Sequence, residues 1–121
     1  MGAMTAIRDI AKLEASAAQA ARLLRALSNE RRLLILCQLA EGERSVGELQ
    51  PLVGLSLSAL SQHLAVLREA GLVREERMGR AIRYSVDPDG LAPLAQWMER
   101  TAKFWPERMA RLKTLLKEMD Q

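Results

Sequence analysis

Residues 45–86 constrain this chain most: two short helical patterns joined by a tight turn, then a small arginine-studded hairpin. Ser45 and Glu48 stand at the spacing where each side chain takes a backbone N–H of the other residue, which marks a helix start. Gly54 can adopt the left-handed conformation of a C-terminal cap, and Ser56 is placed to cap the next helix at once. Helices joined so closely meet at a steep angle, so the order predicts a helix-turn-helix.

On a wheel of about 100° per residue, Leu57, Leu60, Leu64 and Leu67 fall on one side of the second helix. Ser58, Gln62, Ala65 and Glu69 fall opposite, flanked by Ser61 and Arg68. Short hydroxyl and amide side chains suit a helix in the major groove, because they reach base edges without holding the backbone away. Any surface helix shows a polar outer face, so the hairpin has to separate the two readings.

Ala70-Gly71 stops the helix, and the chain runs through Leu72-Val-Arg-Glu-Glu-Arg-Met, turns at Gly79-Arg80 and returns as Ala81-Ile-Arg-Tyr-Ser-Val86. Ile82, Tyr84 and Val86 alternate with Ala81, Arg83 and Ser85, the period of a half-buried strand. A lone hairpin is barely stable, so its apolar side must pack on the helices. Its other side carries Arg77, Arg80 and Arg83, suited to phosphate or the minor groove. Basic residues also protect edge strands from aggregation, and Glu75 and Glu76 dilute the charge. Cap, turn, small-residue helix and basic hairpin in this order favour duplex DNA.

The chain has 121 residues, a formal charge of +3 and a pI near 9.5, so it is read as one mildly basic domain. No apolar run approaches the roughly 20 residues of a membrane span and no leader is visible, so no membrane partner and a cytoplasmic location are expected. Residues 1–3 read as an expression scar. One Cys and one His fall short of the three or four ligands of a tight metal site, so neither metal nor cofactor is expected. No nucleophile with a base, paired carboxylates or phosphate loop is visible, so the chain is not read as an enzyme.

Residues 5–27 lack Gly and Pro, and Ile10, Leu13, Ala17, Ala20, Leu24 and Leu27 form a helical seam. Asn29 caps a second helix reaching Gly42, with its leucines read as core. Beyond Gly90, Leu91, Met98, Trp105, Leu112 and Met119 stand seven apart, and Pro106 predicts a break near residues 103–105. The simplest home for the first helix and this tail is a two-fold interface between copies; the alternative is a tail folded back on its own subunit. The expected architecture is mainly α with a small β-hairpin, one winged helix-turn-helix domain over 5–121. Residues 5–27 and 90–121 supply dimerisation helices, 29–86 the DNA-binding core, and 72–86 the wing.

Leu24-Arg-Ala-Leu-Ser-Asn-Glu-Arg-Arg-Leu-Leu-Ile-Leu-Cys37, Ser45-Val-Gly-Glu-Leu49, Ser58-Ala-Leu-Ser-Gln-His-Leu64 and Leu67-Arg-Glu-Ala-Gly-Leu-Val73 resemble the ArsR/SmtB family of bacterial transcriptional regulators, nearest its HlyU/BigR type. The resemblance covers about residues 23–86 and implies a homodimeric winged-helix repressor, with residues 56–69 as recognition helix and the hairpin as wing. Related sequences often carry Gln at the place of Leu57, which the wheel sets beside Leu60 as buried, or at a helix start facing a thymine methyl. Redox-sensing members pair a cysteine at the place of Cys37 with one in the C-terminal helix, and that partner is absent here. Cys37, between Leu36 and Leu39, is read as a small buried core residue, with a modified single thiol or an intersubunit bridge as the alternatives.

The expected function is sequence-specific regulation at an inverted repeat with half-sites ~10 base pairs apart or a multiple of it, released by a signal. Ser56, Ser58, Ser61, Gln62 and His63 are assigned to the groove or its rim. Arg68, Arg77, Arg80 and Arg83 are assigned to phosphates. Trp97, Phe104 and Trp105, three of the chain's few aromatic residues, either pack the dimer core or line a pocket for a small organic effector. The rival readings are a winged-helix protein-interaction module and a redox regulator built on Cys37.

Overall fold

The computed structural model describes residues 2–102 and 105–120, with side chains from residue 11 onward except residue 13. In chain order the elements are α1 (Gly2–Leu27), α2 (Glu30–Ala40), β1 (Arg44–Ser45), α3 (Val46–Val53), α4 (Leu57–Glu69), β2 (Val73–Met78), β3 (Ala81–Val86), α5 (Pro88–Thr101) and α6 (Trp105–Met119). None of these helices is long and apolar enough to cross a membrane.

Local chemistry sets most boundaries. The Asn29 side chain accepts the backbone N–H groups of Arg31 and Arg32 and starts α2. Ser45 and Glu48 form the reciprocal capping box of α3, and Gly54 ends that helix at φ 63°, a conformation that costs glycine nothing sterically. Ser56 caps α4 by accepting the N–H of Ala59, and Asp87 caps α5. Pro106 lies in the first turn of α6, where its missing N–H breaks no helical bond, so the tail is two helices.

Ile35, Leu39, Leu49, Val53, Leu60, Leu64, Leu67, Leu72 and Val73 form one core, closed at one end by Ala20, Leu23 and Ala26 of α1 and by Leu94 of α5. Sealing a leucine this completely is worth about 1.5–3 kcal/mol, which makes α4 the central beam of the domain. α1 packs chiefly against α5 within the same chain. Gly90 lets the start of α5 pass against the turn after α4, because a Cβ there would lie 1.5 Å from the carbonyl oxygen of Gly71.

Several expectations change. The hairpin is part of a three-stranded antiparallel sheet ordered β1-β3-β2, because Arg44 and Ser45 pair with Tyr84 and Arg83. β3 is therefore a middle strand, and residues 82–86 are all half-buried instead of alternating. Leu33 and Leu34 are exposed, since the core takes the α2 face of Ile35 and Leu39. The α1 seam divides in the same way: Ala20 faces the core, while Leu24 stands outward. Within that seam, the side chains of Ile10 and Leu13 fall outside the described residues.

Candidate nucleic-acid interface

α4 presents two faces with different fates. Leu60, Leu64 and Leu67 are sealed in the core, and Ser58, Ser61, Gln62 and Arg68 are exposed. Leu57 departs from its wheel position beside Leu60: it is 55% exposed, because it occupies the first turn, ahead of the packed part of the helix. Its side chain is thus presented to solvent at the N-terminal end of α4.

Two arginines that sequence reasoning passed over hold this unit in place. Arg31 donates to the carbonyl of Val53 at 2.9 Å, taking up an orphan acceptor at the end of α3. Arg32 donates through Nε to the carbonyl of Ala26 at the end of α1, and its Nη1 lies 3.2 Å from His63 Nδ1. His63 is half-buried and has one ring nitrogen engaged with Arg32. Both arginines follow the cap Asn29, and in sequence they read as ordinary solvated charges of a helix start.

The wing sorts its arginines by partner. Gly79 and Arg80 form the two-residue turn between the paired residues Met78 and Ala81. Arg77 and Arg80 are exposed and form no ion pair among the described residues. Arg83, in contrast, donates to Glu43 Oε1 at 2.8 Å, to the Glu43 carbonyl at 3.1 Å and to Glu48 Oε1 at 3.0 Å. The Glu43 carboxylate above all holds the Arg83 guanidinium charged, raising its pKa. Arg68 is bound to Glu75, and Arg74 to Asp87 and Asp89. Of the four arginines read as phosphate contacts, Arg77 and Arg80 are unpaired, while Arg68 and Arg83 already have carboxylate partners.

Glu48 serves two elements. Its Oε1 accepts the Ser45 N–H at 3.3 Å as well as Arg83, and the hydrogen bonds from Ser45 are the main reason its carboxyl sits below the usual range.

Outside this surface, Cys37 is exposed instead of buried, because it lies on the outward face of α2 with Leu33 and Leu34. Trp97 is half-buried against the core, and with Thr101, Trp105 and Arg108 it lines an open groove of about 320 Å³. Thr101 Oγ1 accepts the Trp105 indole N–H, which ties the end of α5 to the start of α6. Phe104 lies outside the described residues. No cluster of three or more His, Cys, Asp or Glu able to hold a metal ion occurs among the described residues.

A capped helix-turn-helix with a two-stranded basic wing defines a winged helix-turn-helix protein of the DNA-binding class. Residues 29–75 match the family described as "Bacterial regulatory protein, arsR family". The HTH-type transcriptional regulator YgaV of Escherichia coli K12 is 51% identical over 79 residues, which cover 64% of this chain and 80% of that protein. The transcriptional activator HlyU of Vibrio cholerae is 41% identical over 92 residues, covering 76% and 85%. The structure of reduced HlyU from Vibrio cholerae superposes with a TM-score of 0.62 at 43% identity, over 73% of this chain and 94% of that one. The transcriptional repressor BigR from Xylella fastidiosa superposes with a TM-score of 0.62 at 36% identity, over 77% and 93%. The chain belongs to the ArsR family, and it is a DNA-binding transcriptional regulator.

Proposed function

We propose that the protein is a homodimeric repressor that occupies an inverted-repeat operator, with half-sites ~10 base pairs or a multiple of that apart, and leaves it on a signal. The observation that carries this reading is the combination of a small-polar outward face on α4 with two unpaired arginines in the wing. Ser58, Ser61 and Gln62 read the major groove, with Leu57 at its entrance. Ser56 keeps its hydroxyl proton for a phosphate while its oxygen caps α4, and His63 stands at the rim. Arg77 and Arg80 hold phosphates, one of them reaching the minor groove. No chemical step is assigned to the chain, in line with relatives that are named as regulators.

A second copy supplies the missing cover of the tail. Met98 on α5 and Trp105, Met109, Leu112, Leu116 and Met119 on α6 are all exposed, a row too apolar to face water in an isolated chain. A small organic effector in the groove of Trp97, Thr101, Trp105 and Arg108 would change the angle between α5 and α6, and with it the spacing of the two recognition helices. The exposure of Cys37 favours a second reading, in which modification of this single thiol is the signal. Loss of oxidant sensitivity in Cys37→Ser, with effector response retained, separates the two.

The test is selection from a random duplex pool followed by titration across salt. Arg77→Ala/Arg80→Ala lowers the slope of log K against log salt by about 0.9 for each phosphate that is no longer neutralised. Gln62→Ala leaves the slope in place and changes the preferred sequence. An unchanged slope in the arginine double variant, or no selected sequence at all, sinks the proposal. Transcription in vitro from a promoter carrying the selected site then gives the sign of regulation; HlyU is named an activator and BigR a repressor.

A further inference from the structure

We infer that Arg83 is a positioning residue, which fixes the angle of the wing to the helix-turn-helix by clamping β3 to the segment that starts α3. The inference rests on the duplex-binding reading above and concerns a residue whose charge suggested a phosphate contact. One guanidinium spans two carboxylates and a carbonyl, and the partners lie forty and thirty-five residues away in sequence. The clamp sits where the sheet is weakest. β1 contributes only Arg44 and Ser45 to the ladder with β3, and Ser45 is the residue opposite Arg83. Two residue pairs hold a hairpin poorly, so a planar fork that engages both acids adds the rigidity the backbone lacks.

Glu48 Oε1 makes the coupling mechanical. The same oxygen accepts the N–H that caps α3 and the Arg83 Nη1–H, so a swing of the wing pulls on the start of the helix-turn-helix. Arg77 and Arg80 then reach DNA from a wing held at a fixed angle to α4.

Direct contact and clamping predict opposite signs for an acidic residue. Removing Glu43 takes away a negative charge, which tightens binding to DNA if Arg83 is a phosphate ligand. If Arg83 is a clamp, Glu43→Ala loosens the wing and weakens binding, by roughly threefold, and Arg83→Ala does so by roughly tenfold. In both variants the salt slope stays within about 0.3 of the parent value, because every phosphate keeps its cation. Arg83→Lys keeps the charge but cannot fork between the acids, so it resembles Arg83→Ala; a phosphate ligand would be largely rescued.

The experiment is fluorescence anisotropy of the full chain on its selected duplex at several salt concentrations, with Arg77→Ala/Arg80→Ala as control. A slope that falls by about 0.9 in Arg83→Ala, recovery in Arg83→Lys, or tighter or unchanged binding in Glu43→Ala overturns the clamp. A normal slope in the control alone overturns the wing as a DNA contact instead, so the two failures are distinguishable.

Discussion

Leu60, Leu64 and Leu67 on α4 are sealed from solvent, whereas Leu112, Leu116 and Met119 on α6 repeat the same helical spacing and stand exposed. Both helices are amphipathic and both are well formed. The difference is in what surrounds them: α4 is embraced by α2, α3 and β2, with α1 touching its far side, while α6 has no buried residue. Periodicity thus identifies the apolar face of a helix but leaves open whether its cover comes from the same chain.

The contrast breaks most sharply under one substitution made in both places. Leu64→Asp buries an unpaired carboxylate and costs more than about 4 kcal/mol, enough to unfold a domain of this size. Leu116→Asp leaves the stability of dilute protein within about 0.5 kcal/mol and abolishes association. Denaturant titration and sedimentation equilibrium read the two effects. Equal loss of stability in both variants would mean that α6 is as much part of the single-chain fold as α4.

A smaller effect sharpens the boundary between the two regions. Gly90→Ala places a methyl against the Gly71 carbonyl, so α5 must shift off the turn after α4, at a cost of about 1–3 kcal/mol. Gly47→Ala in α3 meets nothing closer than Ser45 Oγ at 3.9 Å and gains about 0.5–1 kcal/mol from the lower entropy of its unfolded chain. Opposite shifts in thermal midpoint are the expected result, and a harmless Gly90→Ala would show that α5 docks elsewhere.

The smallest effect is a pH dependence at the same junction. Arg74 is the main reason that the Asp87 carboxyl sits below its usual range, with the N–H groups of Gly90 and Asp89 adding to it. Its stabilisation is complete above the ordinary aspartate pKa and is lost as pH falls through that value and the lower folded one. Asp87→Asn still caps α5 but gives up the charge pairing with Arg74, so its signature is a small loss of stability at neutral pH that vanishes in acid, which flattens the acid limb. An unaltered acid limb would remove Asp87 from the acid response.

The legible part of the fold follows from partners close in sequence. Asn29, Ser45 with Glu48, Gly54, Ser56 and the Gly79-Arg80 turn each act on a backbone group within a few residues, so their effect is written locally. The α4 surface was legible in outline for the same reason, except at Leu57, where the wheel records direction but not how far along the helix the core extends. The arginines were not sortable. Arg77, Arg80 and Arg83 look alike in the hairpin, and only the approach of β1 to β3 brings Glu43 to Arg83. Cys37, Leu33 and Leu34 misled similarly, since apolar neighbours in sequence say little about which side of α2 meets the core.

The sequence by itself determined where helices begin and end, where the hairpin turns, and which residues share a face, because these depend on backbone hydrogen bonds and side-chain period over a few residues. Tertiary structure alone decided which faces found a cover, that Gly90 must pass against Gly71, and which arginines remained unpaired in the wing. Those outcomes depend on the packing of elements tens of residues apart, where a leucine or an arginine acquires its role from the partner that the fold delivers to it.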